Sequence, residues 1–123
     1  MTSLTFPQTH RMKTPQEFDR AYARKRSASD SVLVVYACEN GLTHPRLGCS
    51  VSRKVGNAVV RNRWKRLLRE SFRLNRHALP AGLDFILIPR SGQTEPTQEQ
   101  VMASLLKQAR YAVRKLDVPT KPM

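Results

Sequence analysis

Apolar and polar positions follow two rhythms along this 123-residue chain, and the switches between them predict its elements. Thr14-Pro15-Gln16-Glu17 opens a helix: Thr14 caps, Pro15 suits the first helical position and Glu17 completes a capping box. That helix runs to about Arg24 and sets Phe18 and Tyr22 on one face. Val32 to Cys38 is a β-rich run, followed by the tight-turn pair Asn40-Gly41. Arg46 to Arg53 alternates, with Leu47, Cys49 and Val51 on one side. Together these runs predict a hairpin. A helix over about Asn57 to Arg76 comes next, then a strand from Leu83 to Pro89, apolar enough for burial on both faces. A polar stretch containing Gly92 and Pro96 leads to a last helix, about Thr97 to Leu116. Thr97 and Gln100 form its capping box, and Val101, Leu105, Ala109, Ala112 and Leu116 its apolar stripe. The order α-β-β-α-β-α describes an α+β fold, an α/β sandwich in which helices cover a small sheet. We read residues 1–123 as a single domain, with 1–13 an extended arm and 117–123 a loose tail.

Within the 57–76 helix, stepping about 100° per residue separates two faces. Val60, Trp64, Leu67, Leu68, Ser71 and Leu74 share one arc. Arg61, Asn62, Lys65, Arg66, Arg69 and Arg73 share the next, with Arg63 at its edge. From Arg53 to Arg76 there are nine basic residues and one acid, Glu70. Helical faces that are merely solvated mix signs to gain i,i+4 pairs; this one repels itself unless phosphates neutralise it. Arginine suits bidentate phosphate and base-edge contacts, and asparagine both donates and accepts. Gly56 permits the turn before the helix and Asn57 caps it, leaving first-turn amides that favour an anion.

Charge widens the same inference. The chain carries 22 Lys and Arg against 9 Asp and Glu, a formal net of +13, for which a polyanion is the natural compensation. The hydrophobic fraction of 40% excludes a wholly disordered tail. No long apolar span or lipidation signal points to a membrane. Cys38 and Cys49 lie in strand-like runs and read as free thiols of a cytoplasmic protein. They and the histidines His10, His44 and His77 lack metal-ligand spacing. Phe18, Tyr22 and Tyr36 stand open between two roles. Their spacing suits a core, while the cations around the first helix suit a platform on which bases stack.

The stretch from Leu47 to Glu70, with Ser52-Arg53-Lys54-Val55-Gly56-Asn57 followed by Arg61-Asn62-Arg63-Trp64-Lys65-Arg66-Leu67-Leu68-Arg69-Glu70, closely resembles the signature of the bacterial ribonuclease P protein subunit. Phe18 and Tyr22, Tyr36, and Phe85 to Arg90 extend the resemblance over about residues 10–116. It implies a fold like domain 2 of ribosomal protein S5, with a left-handed β-α-β crossover. It also implies binding of the catalytic RNA through Arg53, Asn57, Arg61, Asn62, Arg63, Lys65, Arg66 and Arg69. The 5′ leader of precursor tRNA would lie against Phe18, Tyr22, Tyr36, Lys54 and Arg90. The sequence departs from the family pattern at four places: Tyr22 where Phe is commoner, Lys25 where Gly often ends the first helix, Trp64 for a smaller aliphatic, and Ser91 where a second basic residue is frequent.

The implied reaction is endonucleolytic hydrolysis of one phosphodiester, which yields the mature tRNA 5′ end. No catalytic residue is expected in this chain. It binds no cofactor of its own; the Mg²⁺ of the holoenzyme is held mainly by RNA. The partners are the ribonuclease P RNA, in a 1:1 complex with a protein monomer, and precursor tRNA. One rival is a non-enzymatic ribosomal or general RNA-binding protein. A helix-turn-helix DNA binder is the other, but residues 46–53 alternate as a strand where that motif needs a helix.

Overall fold

The computed structural model describes residues 10–90 and 96–117. Residues 1–9 of the predicted arm over 1–13, Ser91, Gly92, and residues 118–123 of the predicted tail over 117–123 lie outside them. Helix α1 (Pro15–Arg24) precedes strands β1 (Ser27–Ser29), β2 (Leu33–Glu39) and β3 (Arg46–Cys49). Helix α2 (Ala58–Asn75), strand β4 (Leu83–Pro89) and helix α3 (Gln98–Asp117) follow. The fold is α+β: among the described residues, three helices pack on one four-stranded mixed sheet in the order β1-β2-β4-β3.

Two expectations need correction. The order is α-β-β-β-α-β-α, because the short strand β1 was not foreseen; Ser27, Ala28 and Ser29 carry no strand-forming side chains, and the strand exists by pairing with β2. The predicted hairpin is also absent. β2 pairs antiparallel with β4 from Leu33↔Pro89 to Glu39↔Leu83, and β3 pairs parallel with β4, so β4 lies between the two strands expected to be neighbours. Asn40 and Gly41 do turn the chain: the Asn40 amide donates to the Gly82 carbonyl at 2.9 Å and Gly41 has φ +73°. The turn then passes the end of β4 instead of reversing onto β2. Seven apolar-rich residues in β4 bury on both faces and need a partner strand on each side.

β3 is shorter than the predicted alternation. After Cys49 the chain winds into a helical turn at Arg53–Val55, where Ser52 Oγ accepts from the Lys54 amide. Cys38 and Cys49 are free thiols on strands separated by β4. Burial pushes the Cys49 thiol up to about 11, against the opposing pull of Arg69, Lys65 and Arg11.

The main core lies between the sheet and the α2–α3 layer. Trp64, Leu68 and Phe72 from α2 meet Val101, Leu105, Ala109 and Ala112 from α3 over Leu33, Val35, Leu47, Phe85 and Leu87. The apolar arc of α2 is rotated from the expected one: Phe72 is fully buried, while Leu74 is 44% exposed. Docking against α3 decides that rotation. Asp30 ties α3 to the β1–β2 turn, its carboxylate accepting from the amides of Val32 and Leu33, from Ser104 Oγ and from Gln108 Nε2.

Among the described helices only α1 packs on the other face of the sheet, and a smaller cluster of Met12, Ala21, Cys38 and Ile86 lies beneath it. The capping box forms as predicted, with Thr14 Oγ1 accepting from the Glu17 amide at 3.2 Å. Residues before it lie along the outer edge of β3, where the Met12 amide donates to the Leu47 carbonyl at 2.8 Å.

Candidate nucleic-acid interface

On the α1 side, strand register lines up Tyr36, Ile86 and Gly48 in one row across β2, β4 and β3. α1 lowers two rings onto that row. Tyr22 meets Tyr36 edge to face, with centroids 5.0 Å apart and an interplanar angle of 85°, a geometry that aromatic quadrupoles favour. Phe18 lies over Gly48, so close that a Cβ there would fall 2.9 Å from its ring carbons. Phe18, Tyr22 and Tyr36 are all partly buried at the border of the small cluster. Each ring is thus packed against the small cluster and keeps part of its surface accessible.

α1 covers only part of this face. The next row, Val34 with Ile88, is half-exposed and leaves an apolar floor beside the aromatic row. Beyond it the parallel strands β3 and β4 end together. Lys54 and Arg90, both exposed, follow those ends. The Arg90 amide donates to the Val32 carbonyl at 3.0 Å, which fixes where its side chain begins.

What holds α1 in place was not foreseen. Asp84, fully buried in β4, accepts from Arg46 Nε and Nη2 at 2.8 Å each, from Asn40 Nδ2 at 2.9 Å and from Arg20 at 3.5 Å. Arg46 in turn reaches Glu17 at 2.8 Å. A buried carboxylate is tolerated only when so satisfied. The Glu17 carboxyl is held down at about 2 by the Lys13 and Thr14 amides, which outweigh burial, with Arg46 assisting. The available signal was one acid inside Leu-Asp-Phe-Ile-Leu-Ile-Pro, whose partners lie far away in sequence.

The cationic stripe of α2 lies on the other face of the sheet from this cleft, with Lys65 and Arg69 toward β3 and Arg63 and Arg66 toward the start of α3. Asn62, Arg63 and Arg66 are exposed; Arg61, Lys65 and Arg69 are half-buried flanks. Lys65 and Arg69 reach over β3 far enough for their charges, with that of Arg11, to act on Cys49. Arg61 Nε donates to the Gly56 carbonyl at 3.3 Å, which presses this side chain against the helix start. Asn57 caps the helix by accepting from the Val60 amide at 3.0 Å, and Arg53 stands exposed one turn earlier. Arg73 departs from the expected stripe: its guanidinium is occupied by Glu70 at 2.6 Å, the acid that interrupts the run. Strand β3 thus separates two assemblies, aromatic and apolar on one side, cationic on the other.

Known proteins resemble this chain in sequence and fold. The family described as Ribonuclease P matches residues 6–113. The ribonuclease P protein component of Lachnoclostridium phytofermentans is 40% identical over 99 residues, which cover 80% of this chain and 85% of that one. The solved Staphylococcus aureus RNase P protein superposes with a TM-score of 0.71 at 35% identity, covering 89% of this chain and 96% of that one. The Thermotoga maritima protein gives a TM-score of 0.72 at 33% identity, covering 79% and 92%. Sequence match and topology agree, and the chain belongs to the ribonuclease P protein family.

Proposed function

We propose that this chain is the protein subunit of ribonuclease P and works by binding, while the RNA subunit performs the cleavage. The catalytic RNA is gripped by Arg53, Asn57, Arg61, Asn62, Arg63, Lys65, Arg66 and Arg69. The 5′ leader of precursor tRNA lies in the cleft of Phe18, Tyr22 and Tyr36, its phosphates met by Lys54 and Arg90. The observation that carries this reading is the aromatic row beside an uncovered strip of sheet, on the far side of β3 from the cationic helix. One RNA can occupy the helix while a single strand stacks in the cleft. The gain is one of positioning: leader capture raises the fraction of substrate whose scissile phosphate sits correctly.

Five acids of this chain are already engaged, which makes them poor ligands for the Mg²⁺ on which the holoenzyme depends. Among the described residues no three of His, Cys, Asp and Glu gather as ligands. Asp84, Glu17, Asp30, Glu39 and Glu70 are committed to arginines, amides or hydroxyls. We therefore assign the metal to the RNA. We further propose a monomeric protein in a 1:1 complex, acting in the cytoplasm; no helix among the described residues is long and apolar enough to cross a membrane.

Reconstitution tests the reading. The protein is mixed with a bacterial ribonuclease P RNA and labelled precursor tRNA at low Mg²⁺, and 5′-end maturation is timed. A large rate gain over RNA alone is expected, and no gain refutes the reading. Phe18→Ala is expected to weaken affinity for leader-bearing substrate only; an equal loss for leaderless tRNA refutes the cleft assignment.

A further inference from the structure

Among the described residues no strand pairs with the outer edge of β1, whereas Arg11 and Met12 line the opposite edge, at β3. There β1 and the outer side of α3 enclose an open groove of about 760 Å³. Residues 27–30 form one wall, and Lys107, Gln108, Tyr111, Arg114 and Lys115 form the other. From Gln100 to Leu116 the helix has four cations, Lys107, Arg110, Arg114 and Lys115, and no acid. All four are exposed. The acid on the opposite wall, Asp30, is turned inward onto Ser104, Gln108 and the amides of Val32 and Leu33.

Neither the aromatic cleft nor the α2 stripe makes use of these cations. Lys107, Arg110 and Arg114 follow one another at i,i+3 and i,i+4 spacing, where like charges repel, and the acids of the helix, Glu99 and Asp117, stand only at its two ends. At the centre of the run Tyr111 is 41% exposed. The Arg114 guanidinium lies over its ring, 5.7 Å from the centroid. An exposed aromatic ring among cations is the element on which unpaired bases stack while the backbone is neutralised. Lys115 Nζ donates to the Ser27 carbonyl, so the strand edge and the cations meet in one strip. From Lys107 to Lys115 the helix rises about 12 Å, close to the length of three or four stacked nucleotides at about 3.4 Å each.

We propose that the β1–α3 groove is a second binding site for single-stranded RNA, independent of the aromatic cleft and the α2 helix. A base stacks on Tyr111, and neighbouring phosphates pair with Lys107, Arg114 and Lys115. Its place on the far edge of the sheet lets the protein hold an RNA segment remote from the first two surfaces.

The test is an amide NMR titration of the full-length, uniformly labelled protein with octauridylate. Two sets of signals are expected to move, one from α1 and α2, the other from residues 27–30 and 107–115. Tyr111→Ala should weaken the second set about fivefold or more, the lower end of a lost base stack, and leave the first unchanged. Tyr111→Phe should restore it. Groove signals that stay still while α1 and α2 signals move overturn the proposal. So do groove shifts that survive Tyr111→Ala, or that inorganic phosphate or a polyglutamate peptide reproduces.

Discussion

A methyl group added at Gly48 would sit 2.9 Å from ring carbons of Phe18 and 2.8 Å from Met12 Sδ. Both are the free ends of side chains, so Gly48→Ala is expected to fold with a stability loss of about 1 kcal/mol. It should nevertheless displace Phe18 and lower leader-dependent affinity for precursor tRNA about tenfold, or about 1.4 kcal/mol. Binding assays with leader-bearing and leaderless tRNA, beside a urea melt, check this. Lys25 poses a different residue-scale question. It ends α1 in the left-handed region, with φ 59° and ψ 32°, and its amide donates to the Tyr22 carbonyl at 3.1 Å. A side chain costs about 1 kcal/mol there relative to glycine. Lys25→Gly should therefore raise the melting temperature by about 4 °C, measured by circular dichroism. The backbone angle explains why glycine, which the family often has at this position, suits it.

At the scale of elements, α1 is one wall of the cleft, and Glu17 connects it to the sheet. Its carboxyl lies at about 2, below the ordinary value of 4.5. A depressed carboxylate contributes its full stability above its unfolded value and loses that contribution as pH falls towards the folded one. Glu17→Gln should therefore cost about 1–2 kcal/mol at neutral pH, the range of a lost helix cap. The gap between variant and parent should close between pH 4.5 and pH 2. Thermal melts across that range check the sign; a constant gap would show that the charge on Glu17 contributes nothing. The capping box itself was legible in Thr14-Pro15-Gln16-Glu17, because a cap is local. The salt bridge to Arg46 was not, since 29 residues separate the partners. Helix α2 shows the same division. Its length and two-faced character follow from periodicity, yet which of Phe72 and Leu74 goes inward depends on where α3 lies.

At the scale of the molecule, opposite surfaces share the +13 formal charge. Each phosphate contact with double-stranded nucleic acid contributes about 0.9 to the slope of log affinity against log salt, and about 0.7 with single strands. The double variant Arg61→Gln, Arg63→Gln is expected to reduce the slope for the catalytic RNA by about 1.5, with leader selectivity intact. Filter binding at several salt concentrations measures it. A slope that does not move would remove α2 from the RNA contact.

By itself the sequence determined whatever depends on near neighbours. That includes both capping boxes, the doubly buried β4, the apolar stripe of α3, and an arginine-rich helix with the Arg61-Asn62-Arg63 segment on its outer side. These follow from backbone periodicity and local hydrogen bonds, which a few adjacent residues specify. Tertiary structure decided the partners. It inserted β4 between β2 and β3, recruited Ser27 to Ser29 as an edge strand, and set Phe18 over Gly48 and Tyr22 against Tyr36. It also brought Asp84, Arg46 and Glu17 into one network. Each of those contacts joins positions distant in the chain, and its energy exists only once the whole sheet has closed.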